Sequence, residues 1–301
     1  MNIRGTQRFL LFVRRLVETF RFYTTPSKNR FLLAGFVYVV NDKLTHANFG
    51  DDLSYYLIKE LTGKKIFNYH NLFFRRKHEN ILCIGSIIND WSNVQAIIWG
   101  SGIMYEDREI REKPKCVRAV RGPLSRELLL KQGIECPEIY GDPALLLPMI
   151  YEPKVSKIYK YGIIPHINDY DNIIVEKLAK HIGSCRIISM SEYDKWQDKI
   201  DEICECECII SSSLHGLIIS DAYKIPNVWV KFSDRILGDK FKYLDYFASV
   251  GKNDMAPIRI ESVDSFCLIE KAKLNYSFPV IDIKGLLRVA PFELLPHYRY
   301  E

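Results

Sequence analysis

Short apolar runs alternate with segments of helical periodicity along most of the chain. In the first half, apolar runs of buried-strand length predict strands at 33–40, 65–69, 81–84, 96–99 and 115–120. Helical patterns lie between them at 51–61 and 123–132, and the second of these ends at Gly133. After Pro148 the pattern restarts, with strands predicted at 161–164, 185–188, 208–211 and 228–230 and helices at 171–181, 191–204 and 214–223.

Strands that alternate with helices predict an α/β fold with parallel sheets. The break near Pro148 divides the 301 residues about in half, and each half has the content of one doubly wound sheet. We therefore predict two Rossmann-like domains, at 31–150 and 151–281. A tail at 282–301 is predicted to be a helix that packs back on the body. Ligands in such folds bind at the carboxyl ends of the strands, and here also in the cleft between the domains.

The first 30 residues predict a separate, basic, amphipathic helix. Phe9, Val13, Leu16 and Phe20 recur at helical spacing. Arginines surround them at positions 4, 8, 14, 15 and 21. Two interpretations stay open: a helix on a membrane surface, or a helix docked on its own protein or on a second subunit. No run of about 18 apolar residues predicts a transmembrane helix.

Composition narrows the function classes. The net charge of +5 is too mild, and its aromatic and basic residues too scattered, to favour nucleic-acid binding. Most of the eight cysteines lie in apolar runs, which favours buried thiols in a reducing, cytoplasmic compartment. The Cys204-x-Cys206-x-Cys208 run lacks the second ligand pair that zinc sites usually have, so we predict no metal and no cofactor.

Polar residues concentrate at four junctions between strands and helices. Asn48 and Asp51 flank Gly50 just before a helix, where the simpler explanation is a helix cap. Arg121 precedes Gly122-Pro123 at a helix start, where a guanidinium and free N–H groups attract anions, or where the arginine pairs with a carboxylate. Asp142 lies in a Gly-Asp-Pro turn.

The fourth junction carries the strongest signal. An apolar strand runs into Ser211-Ser212-Ser213 and then into the apolar helix that begins Leu214-His215-Gly216. Serines at this place cap a helix and leave its N–H groups facing a cleft. His215 therefore lies where α/β folds bind ligands, and His166 ends another predicted strand in a similar way.

In content and order, these segments resemble the polysaccharide pyruvyl transferase family, most closely its succinoglycan-type ketal pyruvate transferase branch. The matching strings are Asn48-x-Gly50-Asp51, Val120-Arg121-Gly122-Pro123, Gly141-Asp142-Pro143-Ala144, Pro165-His166 and Ser212-Ser213-Leu214-His215-Gly216, and 241–247 is also similar. The resemblance implies a GT-B-like fold, a phosphoenolpyruvate donor and a saccharide hydroxyl pair as acceptor. A lipid-linked acceptor would place the protein at the inner face of the membrane.

The resemblance also implies roles for the candidate residues. The expected catalytic residues are His215 as the group that titrates near neutrality, with Asp51 and Asp142 acting on an acceptor hydroxyl. Donor contacts are expected from Arg121, Ser212, Ser213, Leu214, Gly216 and Arg235, and acceptor contacts from Asn48 and His166. Some family members have an arginine where this chain has Ser213, so Arg235 is expected to supply that charge, with Arg118 and Lys240 as weaker candidates.

Two other functions fit the same architecture. One is a GT-B glycosyltransferase that uses a nucleotide sugar, with Arg121 on the diphosphate. The other is a non-catalytic module that binds a glycan or a lipid, for which the N-terminal helix is the main functional element. The sequence leaves the oligomeric state open, including a homo-oligomer.

Overall fold

The computed structural model describes residues 3–45, 48–236 and 240–299, with side chains from residue 8 onward. Its first sheet has five parallel strands in the order β4-β1-β5-β6-β7. These are β1 (Arg30–Leu33), β4 (Lys65–Asn68), β5 (Asn80–Leu82), β6 (Ala96–Trp99) and β7 (Cys116–Ala119). A short antiparallel hairpin joins β2 (Val39–Val40) to β3 (Lys43–Leu44).

The second sheet also has five parallel strands, in the order β12-β11-β10-β8-β9. They are β8 (Tyr159–Ile164), β9 (Cys185–Ile187), β10 (Cys206–Ser211), β11 (Asn227–Lys231) and β12 (Ile258–Arg259). In each sheet the chain first adds a strand on one side and then continues on the other. The order therefore reverses between β1 and β5 in the first sheet and between β8 and β10 in the second. Such reversal points are where open α/β sheets bind ligands.

Helices connect and cover the strands. They are α1 (Ile3–Thr24), α2 (Phe49–Thr62), α3 (Ile88–Trp91), α4 (Pro123–Lys131), α5 (Leu147–Ile150), α6 (Ile173–Ile182), α7 (Trp196–Cys204), α8 (Leu214–Ala222), α9 (Phe241–Ser249), α10 (Phe266–Leu274) and α11 (Ile283–Arg288). Across the described residues, each helix is too short or too polar to cross a membrane.

The α/β class and the parallel sheets confirm the fold class predicted from the alternating pattern. Most predicted elements lie within about two residues of their observed bounds, and three differ by more. The strand predicted at 33–40 stops at Leu33, because Gly35 turns the chain with a φ of 138°. The helix predicted at 191–204 begins only at Trp196. The tail predicted as a helix over 282–301 is α-helical only from Ile283 to Arg288 among the described residues, with a short 3₁₀ turn at Pro296–Tyr298, because Pro291 and Pro296 cannot continue the helix.

The two sheets are joined by the largest hydrophobic cluster among the described residues. It packs side chains of α2, such as Phe49 and Leu53, with side chains of α8, such as Leu217 and Ile218. Every residue of α8 from Leu214 to Asp221 is buried. The tail closes over the first sheet, where the Trp99 indole N–H donates to the Leu286 carbonyl at 2.9 Å. The starts of α2 and α8 lie directly against each other, with Gly50 facing His215.

Candidate active site

A small pocket of about 100 Å³ lies between the starts of α2 and α8. Its lining follows the strands at which the two sheets reverse: Phe36 comes after β1, Ser86 after β5, His166 after β8 and Ser213 after β10. The other lining residues are Asn48, Asp51, Ile87, Met104, Leu214, His215 and Lys242. Both reversal points therefore open into one pocket, which is the position that the fold predicts for a ligand.

The start of α2 is built for close contact with α8. The Asn48 side chain caps the helix by accepting from the Gly50 N–H at 3.1 Å. Gly50 has no positive φ, but a Cβ there would overlap the His215 imidazole. The glycine is thus required by the neighbouring ring rather than by the tight turn that its sequence context suggests.

His215 lies in the first turn of α8, with 9% of its surface exposed. Its Nε2 is buried and has no hydrogen-bond partner among the described residues. Burial, with the nearby charges of Arg121 and Lys242, lowers the pKa of His215 to about 3. In this structure the ring is therefore neutral at pH 7, which differs from the expectation that it titrates near neutrality.

The serines position the start of α8 and the neighbouring loop. Ser212 Oγ accepts from the His166 N–H at 2.8 Å, and the Tyr243 hydroxyl donates to the Ser212 carbonyl at 2.6 Å. Ser213 is the N-cap residue, but its hydroxyl makes no capping hydrogen bond. The N–H groups of the first helical turn have no partner inside the helix. Ser213 and this first turn consequently present hydrogen-bond donors to the pocket.

His166 has a defined tautomer. Its Nδ1 accepts from the Asn168 N–H at 3.2 Å, so the proton of the neutral ring is on Nε2. Burial, followed by the charge of Lys242, lowers the pKa of His166 to about 4. His166 therefore lines the pocket as a neutral hydrogen-bond donor.

Asp51 is the lining group that titrates near neutrality. Burial raises its pKa to about 7, the negative charges of Asp52 and Asp142 add to this rise, and Lys242 opposes it. A carboxyl group with this pKa is protonated in about half of the molecules at pH 7. Asp51 can accordingly donate or accept a proton under neutral conditions.

Lys242 is a lining residue that the sequence analysis did not select. It lies in α9 with 6% of its surface exposed, and it forms no ion pair within the parts of the chain that the structure describes. Burial, followed by the charge of Arg121, lowers its pKa to about 8, while Asp51 acts in the opposite direction. A signal was present in the sequence, because Lys242 and Asp245 are charged residues three positions apart in an otherwise uncharged helix. Such a pair shares one helix face.

Arg121 lies behind the pocket rather than in its lining. Its side chain is fully buried, and its Nε donates to Asp245 Oδ2 at 3.0 Å. Its Nη1 donates to Ser86 Oγ at 2.5 Å and its Nη2 to the Ile103 carbonyl at 3.0 Å. Arg121 was expected to contact the donor substrate. The structure instead shows the other arrangement considered for it, an arginine paired with a carboxylate. Arg121 holds Ser86, which does line the pocket.

Asp142 also lies outside the lining. It is fully buried, and its Oδ1 accepts from the Ala144 N–H at 3.0 Å. Burial raises its pKa to about 7. The structure therefore places Asp142 away from the lining, where its side chain caps the 3₁₀ turn at Pro143–Leu146.

Other residues that were expected to contact the donor substrate also lie outside the pocket lining. Arg235 is half exposed and pairs with Asp171 at 3.1 Å, outside the pocket lining. Gly216 faces Ser211 Oγ and Ile164, so its missing side chain makes room for β8 and β10 rather than for a ligand. Ser212 acts through His166, as described above. Arg118 and Lys240 line other surface grooves.

The cysteine run shows no sign of metal chemistry among the described residues. Burial raises the pKa of the Cys204, Cys206 and Cys208 thiols to about 12, so they are neutral. No group of three or more His, Cys, Asp or Glu side chains in 3–45, 48–236 and 240–299 has a geometry that could hold a metal ion.

Comparison with known proteins identifies the family. The family model for polysaccharide pyruvyl transferase matches residues 48–234. The chain belongs to the polysaccharide pyruvyl transferase family. The matched segment contains all five motifs on which the resemblance was based. The predicted family is therefore confirmed. Lys242 lies eight residues beyond it.

Two relatives are similar over the same extent. An uncharacterized protein, L143, of Acanthamoeba polyphaga mimivirus is 29% identical over 213 residues, which cover 68% of this chain and 71% of the relative. The succinoglycan biosynthesis protein ExoV of Rhizobium meliloti (strain 1021) is 29% identical over 215 residues, which cover 68% of this chain and 62% of ExoV. The second similarity agrees with the succinoglycan-type branch expected within the pyruvyl transferase family.

Proposed function

We propose that this protein transfers pyruvate from phosphoenolpyruvate to two hydroxyl groups of a saccharide, as a ketal, in polysaccharide biosynthesis. Family membership supports pyruvyl transfer. The observation that carries the donor assignment is the pocket, where a buried lysine, the N-terminus of α8 and a carboxyl group with a pKa near 7 face one another. The proposed architecture is GT-B-like, with one sheet contributing to each side of the pocket.

Phosphoenolpyruvate carries a carboxylate and a phosphate, and the pocket offers matching donors. Lys242 supplies positive charge, and the Ser213 hydroxyl with the first-turn N–H groups of α8 supplies hydrogen bonds where the helix dipole favours anions. His166 adds its Nε2–H. In this proposal Lys242 provides the charge that some relatives obtain from an arginine at the position of Ser213.

The reaction needs a proton on the methylene carbon of the donor. Asp51, in its protonated form, gives this proton and leaves cation-like character on the central carbon. One saccharide hydroxyl adds there, phosphate leaves, and the second hydroxyl adds to close the ketal. The two hydroxyl protons balance the step: one restores Asp51 and the other leaves with the phosphate. General acid catalysis by a group with this pKa suits neutral conditions.

His215 keeps a role in this mechanism, but as a neutral ring. Its Nδ1 is the ring atom nearest to the position that a Cβ at Gly50 would take, and its buried Nε2 has no hydrogen-bond partner among the described residues. The imidazole orients the donor or an acceptor hydroxyl by hydrogen bonding. Asn48 and Met104 complete the lining of the pocket, and the proposal places the saccharide beside them.

The size of the pocket supports a compact donor. Its volume of about 100 Å³ is well below the ~300–1,000 Å³ typical of pockets for drug-sized ligands. A nucleotide sugar is of that larger class, so glycosyl transfer is less well supported. We also propose a cytoplasmic location, on the ground that neutral, unpaired thiols such as Cys206 and Cys208 suit a reducing compartment.

The test combines donor binding with phosphate release. Calorimetry should detect phosphoenolpyruvate binding, and Lys242→Met should weaken it at least ~10-fold, because a charge-assisted contact is lost. Lys240→Met is the matched control, since Lys240 is an exposed lysine two residues earlier, and it should change binding less than about 2-fold.

Release of inorganic phosphate should require both phosphoenolpyruvate and a saccharide acceptor. Binding of a nucleoside diphosphate sugar without phosphoenolpyruvate would instead favour a glycosyltransferase. No detectable binding of either ligand would favour a non-catalytic binding module.

A further inference from the structure

The N-terminal helix turns an apolar face to solvent. Phe9, Leu16 and Phe20 are 66%, 54% and 69% exposed, and they recur at helical spacing along one side of α1. Phe12, Val13 and Val17 extend the same surface. We call these six residues the α1 face. Contiguous exposure of this kind is rare on soluble proteins and marks an interaction surface.

The α1 face points away from the side on which the C-terminal half of the helix is docked. Phe22 is buried, and Thr19 Oγ accepts from the Phe73 N–H at 2.9 Å. The Arg15 guanidinium donates to the Leu72 carbonyl at 2.9 Å. The body of the protein therefore holds α1 in a fixed orientation, with its apolar residues pointing away.

The charges around the α1 face are positive. Glu18 is the sole acidic residue in the sequence of α1, and it is buried, bonded to Arg21 and to the Asn41 N–H. Arg8 is exposed at the edge of the face. The helix thus presents apolar and basic groups without an exposed acid of its own.

A neighbouring loop continues this surface. The Phe12 and Phe73 rings pack at 5.6 Å, and the next residue, Phe74, is 69% exposed. A basic run follows it: Arg75, Arg76 and Lys77. Exposed aromatic and aliphatic side chains rimmed by arginine and lysine are typical of segments that bind the interface of an anionic membrane.

We propose that the α1 face, together with Phe74 and its basic run, docks the protein on the surface of an anionic lipid bilayer. The apolar side chains enter the boundary between headgroups and acyl chains, and the arginines and lysines contact lipid phosphates. A second copy of the chain is a poorer occupant, because it would bring the same positive charges against this rim. The docking is peripheral and does not depend on the proposed reaction.

Aromatic contacts connect this surface to the pocket. Segment 69–73 packs against α1, and within it the His70 ring lies 4.4 Å from Trp91. Trp91 lies 4.9 Å from Phe36, which lines the pocket. The docked helix and the pocket are thus linked through side chains of the first sheet and its loops.

Vesicle flotation with the full chain tests the proposal. Vesicles of phosphatidylcholine with about a third phosphatidylglycerol should bind the protein, and pure phosphatidylcholine vesicles should bind it at least ~10-fold more weakly, since part of the attraction is electrostatic. The combined variant Phe9→Ser, Leu16→Ser, Phe20→Ser should lose binding to the anionic vesicles by a similar factor. Phosphate release with a soluble saccharide should stay at the wild-type level.

A matched control removes three exposed apolar residues elsewhere: Leu274→Ser, Phe278→Ser and Val280→Ser. This control should float with anionic vesicles as the wild type does. Equal flotation of the α1 variant and the wild type would overturn the proposal. So would a wild-type dimer in light scattering that the α1 variant converts to monomer, in the absence of vesicle binding by either.

Discussion

At the scale of single residues, the pocket shows how environment decides chemical role. A histidine titrates near neutrality in water and an aspartate far below it. In this pocket the order is reversed, because burial beside Arg121 and Lys242 disfavours a charged His215, while burial beside Asp52 disfavours a charged Asp51. The group suited to proton transfer at pH 7 is thus the carboxyl.

Asp51 gives the first prediction at this scale. For the wild type, kcat/KM should fall as pH rises through about 7, because only the protonated Asp51 carboxyl can protonate the methylene carbon of phosphoenolpyruvate. Asp51→Asn should lower kcat by roughly 10²–10⁴-fold and remove that fall, leaving a fall near pH 8 from Lys242. Steady-state phosphate release from pH 5 to 9 measures both effects.

Stability should follow the same carboxyl with a defined sign. The folded protein binds the Asp51 proton more tightly than the unfolded chain, so this group's contribution falls as pH rises from about 4 to about 7. Asp51→Asn lacks that fall and should gain stability relative to the wild type across this range. Asp90→Asn, at an exposed position, is the control.

A kcat/KM profile that keeps its fall near pH 7 in Asp51→Asn would show that Asp51 is not the general acid.

Six of the eleven residues that line the pocket are candidates from the sequence, and the reason is local. Asn48, Asp51, His166, Ser213, Leu214 and His215 all follow a strand or begin a helix, and chain order alone places such residues at the ligand-binding edge. Arg121 satisfies the same local rule, yet it is buried against Asp245, 124 positions away. Which polar group meets solvent depends on that distant partner.

At the scale of elements, α9 joins the two halves of the molecule. One helical turn carries Lys242 to the pocket and Asp245 to the start of α4. Asp245 accepts from Arg121, from the Ser125 N–H at 2.8 Å and from the Ser125 hydroxyl at 2.7 Å. Gly122 allows this approach, because a Cβ there would overlap the Asp245 backbone.

The buried contacts of Asp245 predict a large loss of stability for Asp245→Asn. The substitution leaves the Arg121 guanidinium fully buried without a compensating charge, which typically costs about 3–5 kcal/mol. Urea unfolding at pH 7 measures it. Asp234→Asn, which removes a surface carboxylate paired with Arg259, should change the midpoint little. An Asp245→Asn midpoint equal to that of the control would show that the buried pair does not hold the halves together.

Element boundaries were predictable where they depend on local chemistry. Gly63 ends α2 in the left-handed conformation with a φ of 65°, as a glycine after a helix should. The segment 191–195 has helical periodicity but forms a loop. Its Tyr193 hydroxyl instead donates to Asp52 at 2.6 Å, across the boundary between the sheets. A contact of that range has no signature in the local pattern, so the predicted helix began too early.

At the scale of the whole molecule, the pocket exists only because the two sheets are held together. The contacts that join them surround it: the Phe49 N–H donates to the Met190 carbonyl at 2.6 Å, Tyr193 meets Asp52, and Arg121 meets Asp245. A ligand in this pocket contacts residues from both halves. Binding should therefore stabilise both halves together, even though no strand of one sheet pairs with a strand of the other in the part of the chain that the structure describes.

Hydrogen exchange checks this expectation. Saturating phosphoenolpyruvate should slow amide exchange both at 48–54, the start of α2, and at 212–218, the start of α8, because local opening of either would expose the ligand. Lys242→Met should lose both effects in parallel at the same ligand concentration, whereas Lys240→Met should keep both. Slowing confined to one segment would mean that the donor binds on one half alone, and the catalytic pocket would then have to be sought away from the boundary between the sheets.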